Sequence, residues 1–367
     1  MTTRKLHQAG FSLVELMVAC AVGLIVALGV LSVVVSSGRQ YAILSANVSA
    51  QSNAQIGVSL MDLSGRNAGA GFYSAGQPIC PTWNAFNGTA MVADNAPWMP
   101  ARIVDGGGNG VSDTLVFTGG AGNRPLGAAP VLADAVSAAS INVSNSSALA
   151  SGDYAVIGAP GSGLPCTLFQ ITQAPTVVAS CGGNANECQL LVRAPNTGLN
   201  PAPGGAGSFT TRPTFGFETA GTATGPAVVS RVGSVADGFR QDAFAVQCQS
   251  LVRFNAFTTA ALPACTQSPL AFGAGVDALA TDVVLMHAQY GVSNAASSDV
   301  VAQWVDASGA TWGGTPAVAD IARIKAVRIV VVSRSRESEA SDITAPCTNG
   351  AGVANTGPCS FEDAAAP

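Results

Sequence analysis

Hydrophobic and polar positions divide this chain into two unequal parts. After Arg4 and Lys5 comes a stretch from Leu16 to Val35, twenty residues without a charge. As a helix rising 1.5 Å per residue it spans about 30 Å, the depth of a bilayer's hydrocarbon core. Basic residues before it and no acid beside them predict a single pass with the N-terminus cytoplasmic and everything after Gly38 exported. From Arg39 to about Arg66 there is no proline, and Tyr41, Leu44, Val48, Ile56, Leu60 and Leu63 recur at near-helical spacing, broken at Ser52. The pattern predicts that the helix continues through this stretch, with Gly65, Gly69 and Gly71 as its stop.

Beyond Asn67 the pattern changes. Glycine-rich loops such as 105–110 and 201–207 separate short apolar runs at Asp113–Thr118, Tyr154–Ile157, Thr167–Thr172, Gln189–Val192 and Phe244–Phe254. Turn clusters between β-branched runs predict antiparallel sheet. Val276–Gln289 has mixed spacing and is expected to be a helix leading into a strand that ends near Val292. The run Ala326–Arg334, one β-branched residue after another, predicts a strand. The fold class is therefore α+β.

Composition narrows the functions. Only 10% of the 367 residues are charged, against about 25% in an average soluble domain, and 48% are hydrophobic. The net charge of −5 argues against phosphate binding over the whole surface, so no nucleic-acid partner is expected. One carboxylate stands out. Glu15 lies at the head of the apolar stretch, where an unpaired acid costs a few kcal/mol, so a positively charged partner is expected to meet it there. A secretory signal is the alternative, but its apolar core runs roughly 7–15 residues and ends at a small-residue cleavage site.

A short basic leader, Gly10, Phe11, four residues to Glu15 and then an apolar helix resemble the class III signal of type IV prepilins. The resemblance implies cleavage by prepilin peptidase between Gly10 and Phe11, N-methylation of Phe11, and pairing of Glu15 with the N-terminal amine of a neighbouring subunit. The proline that often kinks the family's membrane helix is absent. The implied organisation is a leader over 1–10, a long pilin helix over 11–66 with its transmembrane part at about 16–35, and an exported β-rich head over 67–367.

A second resemblance comes from the other end. Val276–Gly291, the Gln303-Trp304-Val305 linker and Ile324–Arg334, with Gly110–Phe117 earlier on, look like PilW-type minor pilins, the similar C-terminal region running over about 276–336. What this implies is a low-abundance subunit that primes type IV pilus assembly at a tip complex displaying an adhesin. Its implied partners are other minor pilins, the major pilin and the inner-membrane assembly platform. It would sit in the inner membrane first and in the surface fibre afterwards. The rival identities are a pseudopilin J-like subunit of type II secretion, and a head that itself grips a host surface or DNA.

Of nine cysteines, Cys20 falls in the membrane helix and reads as a small apolar residue. Eight remain on the oxidising side, so a disulfide framework is expected among Cys80, Cys166, Cys181, Cys188, Cys248, Cys265, Cys347 and Cys359. Eight cysteines allow 105 pairings. Pairing near neighbours would join Cys181 to Cys188, Cys248 to Cys265 and Cys347 to Cys359, leaving Cys80 for Cys166. The spacing lacks the C-x₂₋₄-C pairs of structural zinc, so no metal is assigned. Asp299 and Asp306, flanking Trp304, are candidate calcium ligands without EF-hand spacing and read better as solvated loop acids.

Removing the leader takes away His7, Arg4 and Lys5. That leaves His287 as the one histidine and 14 basic against 21 acidic residues, a net −7. A single histidine makes most acid–base, zinc and triad arrangements improbable. Gly158–Gly163 lacks the lysine of a phosphate loop, and Pro160 removes a backbone donor. The sequence therefore implies neither an enzyme nor a cofactor. The densest basic region, Arg323, Lys325, Arg328, Arg334 and Arg336, is followed by Glu337, Glu339 and Asp342 and reads as a solvated strand end.

Overall fold

The structure is a computed structural model. It describes residues 12–74, 77–107, 111–120, 128–132, 139–179, 188–202, 209–210, 227–234, 239–259, 262, 272, 275–334, 347–348 and 354–355.

A single helix, α1, runs over Leu13–Arg66, 54 residues. Ser12 caps it: the Val14 N–H donates to the Ser12 hydroxyl at 3.3 Å and the Leu16 N–H to its carbonyl at 3.1 Å. Glu15, in the first turn, complements the positive end of the helix dipole. At the far end the chain turns through Gly69 and Gly71, both with φ near +84°. It is then stitched to the end of the strand Thr114–Gly119, the Gly69 N–H donating to Thr118 O and the Gly120 N–H to Ala70 O, each at 2.8 Å.

The head is largely antiparallel. Five strands form one sheet in the order Val276–Thr281, Ser250–Asn255, Arg240–Gln247, Thr114–Gly119, Ala101–Val104. A three-stranded sheet of Gln303–Asp306, Val283–Val292 and Ile324–Ser333 packs on it. Their shared core holds Met61, Ile103, Leu115, Phe244, Leu251, Met286 and Tyr290. A six-stranded sheet surrounds a second, aromatic core in which Phe72 stacks on Trp98 at 3.7 Å between centroids. The one parallel pair among the described strands lies here, Cys166–Gln170 beside Thr82–Phe86. Cys80, just before the second of these strands, is bonded to Cys166, which opens the first, with their Cα atoms 5.5 Å apart.

Buried in the same region, Arg231 grips Asp153 with Nε–Oδ2 at 3.0 Å and Nη2–Oδ1 at 3.2 Å. The two side chains are 3% and 4% exposed. Two hydrogen bonds to both carboxylate oxygens are what a desolvated pair needs to offset the loss of water.

Three expectations need correction. Val276–Gln289 is not a helix but two strands, Val276–Thr281 and Val283–Val292, broken at Asp282 with φ +61°. Val283–Val292 is paired on both sides, by Gln303–Asp306 and Ile324–Ser333, and Val276–Thr281 on one, by Ser250–Asn255; this ladder bonding outweighs a spacing that suits either period. Phe244–Phe254 is not one run. Cys248 and Gln249, at φ +51° and +58°, turn it into a hairpin between Arg240–Gln247 and Ser250–Asn255. That geometry normally takes Asn-Gly, and neither residue signals it. Finally, the stretch around Asp306 is a strand rather than a loop.

Candidate assembly interface

The helix presents different faces to the head and to solvent. Toward the head go Ala46, Ala50, Asn53, Ala54, Gly57, Leu60, Met61 and Ser64, all half-buried or buried and repeating at three and four residues. They meet the strands Val276–Thr281 and Ile324–Ser333. Side chains this small let the helix approach closely: a Cβ on Gly57 would overlap Leu251. Three polar contacts fix the register. The Ser333 hydroxyl donates to Ala50 O at 3.2 Å, Asn53 Nδ2 to the Thr281 hydroxyl at 3.5 Å, and the Ser64 hydroxyl to Asp242 Oδ2 at 3.3 Å.

The apolar stripe expected from periodicity lies mostly elsewhere. Tyr41 is 77% exposed, Val48 65% and Leu63 57%, with Leu44 and Ile56 also exposed; only Leu60 turns inward. Bulky residues mark one stripe and small ones the other, and hydrophobicity alone selects the wrong one. The sequence signal that could have identified the packed face is the four-residue repeat Ala46, Ala50, Ala54 with Gly57 and Met61 completing it.

Glu15 sits exposed in the first turn of α1, at the start of the only described helix long and apolar enough to cross a membrane. Gly10 and Phe11 lie outside the described residues. So do Cys181 and Cys265; Cys188 and Cys248 are both disulfide-bonded. Cys347 lies in the short strand Cys347–Thr348, and Cys359 is outside the described residues. Cys20 is a free, exposed thiol on the membrane helix.

His287 is buried in the strand Val283–Val292, with Nδ1 3.6 Å from Asp113 Oδ2. Asp113 is itself held in place, its Oδ1 accepting from the Gly106 N–H at 3.0 Å and its Oδ2 from the Ala288 N–H at 2.8 Å. These bonds continue the strand's edge where its neighbour Gln303–Asp306 stops. Beside them the Tyr290 hydroxyl accepts from the Ile103 N–H at 2.7 Å, joining the two sheets. Burial raises its pKa, and the Ile103 bond lowers it in part.

Asp299 and Asp306 do not act together. Asp299 lies 3.7 Å from Lys325 Nζ, while Asp306 accepts from the Gln289 amide. No group of three or more His, Cys, Asp or Glu suited to a metal occurs among the described residues. The basic strand end is paired: Arg323 with Asp320 at 3.1 Å, Arg328 with Gln289 and over Trp304 at 4.8 Å, and Arg334 with Gln249. Arg336, Glu337, Glu339 and Asp342 lie outside the described residues.

A long N-terminal helix laid on an antiparallel head gives a type IV pilin-like α+β fold, and that helix is long and apolar enough to cross a membrane. Comparison with known families makes this more specific. Residues 5–31 match the prokaryotic N-terminal methylation motif, and residues 264–360 match the type IV pilus-assembly protein W family. In these two segments the chain is similar to type IV prepilins and to PilW-type pilus-assembly proteins. The second match contains the two strands that hold the helix, and the first opens that helix. No curated protein and no solved structure matches the chain.

Proposed function

We propose that the protein is a non-enzymatic subunit that primes assembly of a type IV pilus and joins the tip complex displaying an adhesin. The observation that carries this is the exposed carboxylate of Glu15 at the start of an uncharged apolar helix, in a chain whose other end matches the W family. Prepilin peptidase cuts between Gly10 and Phe11, on the cytoplasmic side, and methylates the new amine. Cutting there removes the leader and keeps the helix, so the product stays in the inner membrane with its head in the periplasm. Glu15, costly in hydrocarbon, is neutralised by the N-terminal amine of an adjacent subunit, which sets the axial register.

The exposed stripe of Tyr41, Leu44, Val48, Ile56 and Leu63 extends the apolar surface beyond the membrane toward neighbouring helices of minor and major pilins. Deleting the gene and restoring it with the intact chain tests this. Loss and recovery of surface pili and twitching are expected. Normal pili with failed protein secretion would reassign the chain to a type II secretion pseudopilin.

A further inference from the structure

Among the described lysines and arginines of the head, Arg102 alone makes no hydrogen bond, ion pair or ring contact; all the rest are engaged, as Arg231 is with Asp153 and Arg253 with Asp277. The residue is half-buried and has no counter-charge within ion-pair distance. In a chain with net charge −5 an unpaired arginine is conspicuous.

Arg102 lines an open pocket of about 320 Å³ between the strand Ala101–Val104 and the turn over 307–315. Asp105, Ser308, Thr315 and the glycines 313–314 are also among its lining residues. Asp105 Oδ1 accepts from the Gly107 N–H at 2.9 Å, so its Oδ2 is the oxygen left for a ligand. The back is dry, with Ile103 and Ala307 only 1% and 3% exposed. This volume is at the small end of ligand sites and suits a molecule of amino-acid or monosaccharide size.

The charges choose the ligand's chemistry. A guanidinium fork pairs best with a carboxylate, through two parallel bonds. Asp105, on the same pocket, repels a multiply charged anion such as phosphate and favours a hydrogen-bond donor. The geometry points to a binding site for a small monocarboxylate that carries a donor at its other end, the carboxylate held by Arg102 and the donor by Asp105. A free α-amino acid offers that chemistry with its ammonium, and a uronic sugar offers it with its hydroxyls. This site is independent of the pilus-assembly role and uses none of its residues.

Saturation-transfer NMR on the full chain in detergent micelles tests it, with L-alanine and D-galacturonate as probes and D-galactose and inorganic phosphate as controls. At least one carboxylate should bind with a Kd on the order of 1 mM, and neither control should. Alanine alone identifies an amino-acid site, galacturonate alone a sugar-acid site, and both the shared chemistry. Arg102→Gln should weaken binding by about tenfold or more, and Arg102→Lys, which keeps the charge but loses the fork, by less. Thr315→Val, on the exposed rim, provides a second variant if Arg102→Gln fails to fold. The proposal is overturned if neither carboxylate binds the unaltered chain, if phosphate binds as well as they do, or if folded Arg102→Gln binds them undiminished.

Discussion

Gly57, on the helix, and Leu251, on the five-stranded sheet, are pressed together so closely that a single added methyl group would overlap the leucine. This contact sets how near the helix lies to the head. Two effects oppose each other in Gly57→Ala: helix propensity gains about 1 kcal/mol, and the methyl meets the flexible tip of Leu251, which can turn away. The net change should be small. Gly57→Leu has no such escape and should cost about 1–3 kcal/mol through overpacking. Urea unfolding of the two variants in detergent separates the outcomes, and equal stability of both would show that the helix does not seat where described.

Cys80 and Cys166 close a sequence separation of 86 residues and tie the start of one strand to its parallel neighbour. Loop-closure entropy alone puts the bond at about 4.6 kcal/mol. The double change to Ser should therefore lower the unfolding free energy by about 2–5 kcal/mol. Peptide mapping under non-reducing conditions should recover the cross-linked pair from the unaltered chain, and two free thiols there would refute the connection.

Tyr290 makes the stability of the two-sheet core depend on alkali. Its folded pKa is raised above the ordinary value of about 10 by burial. A group whose folded pKa exceeds its unfolded one contributes fully below the unfolded value and loses that contribution as pH rises through it. Stability should accordingly fall above about pH 10. Tyr290→Phe should flatten this fall while costing about 1–3 kcal/mol at neutral pH, because the Ile103 N–H is left buried without its acceptor. Thermal unfolding across pH 7–11 reads both effects; an unchanged alkaline slope in the variant would point to another group.

Some features of the chain are legible one residue at a time and others are not. The long helix follows from an uncharged stretch and the absence of proline, and the strand Ile324–Ser333 from unbroken β-branching. Which face of the helix packs is not legible that way. The choice depends on how close the head can come, and a sheet backed by Leu251 and Phe117 selects alanine and glycine over leucine and valine. The Cys248–Gln249 turn is hidden for a related reason: it lacks the glycine or asparagine that left-handed backbone favours, and two ladders of strand pairing hold it. The Arg102 pocket is invisible in sequence, since it needs residues 102–105 and 307–315 side by side.

Processing and assembly should separate cleanly at two residues. Replacing Gly10 with a bulky residue should block cleavage, because the proposed cut falls at the peptide bond it contributes. The product would be a precursor of full length, retained in the inner membrane. Glu15→Ala lies beyond the cut and should leave cleavage intact, yielding mature chain beginning at Phe11. It should nevertheless fail to enter fibres efficiently, since nothing then selects the register at which a neighbour's amine is neutralised. Glu15→Ala also removes an acid from the first turn of the helix, a loss of about 0.3–1 kcal/mol that is too small to unfold 54 residues. Immunoblots of membrane and sheared-pilus fractions, with mass spectrometry of the N-terminus, give all four readouts. Mature-sized product from the Gly10 variant would refute the cleavage site, and wild-type incorporation of Glu15→Ala would leave the carboxylate without its assembly role.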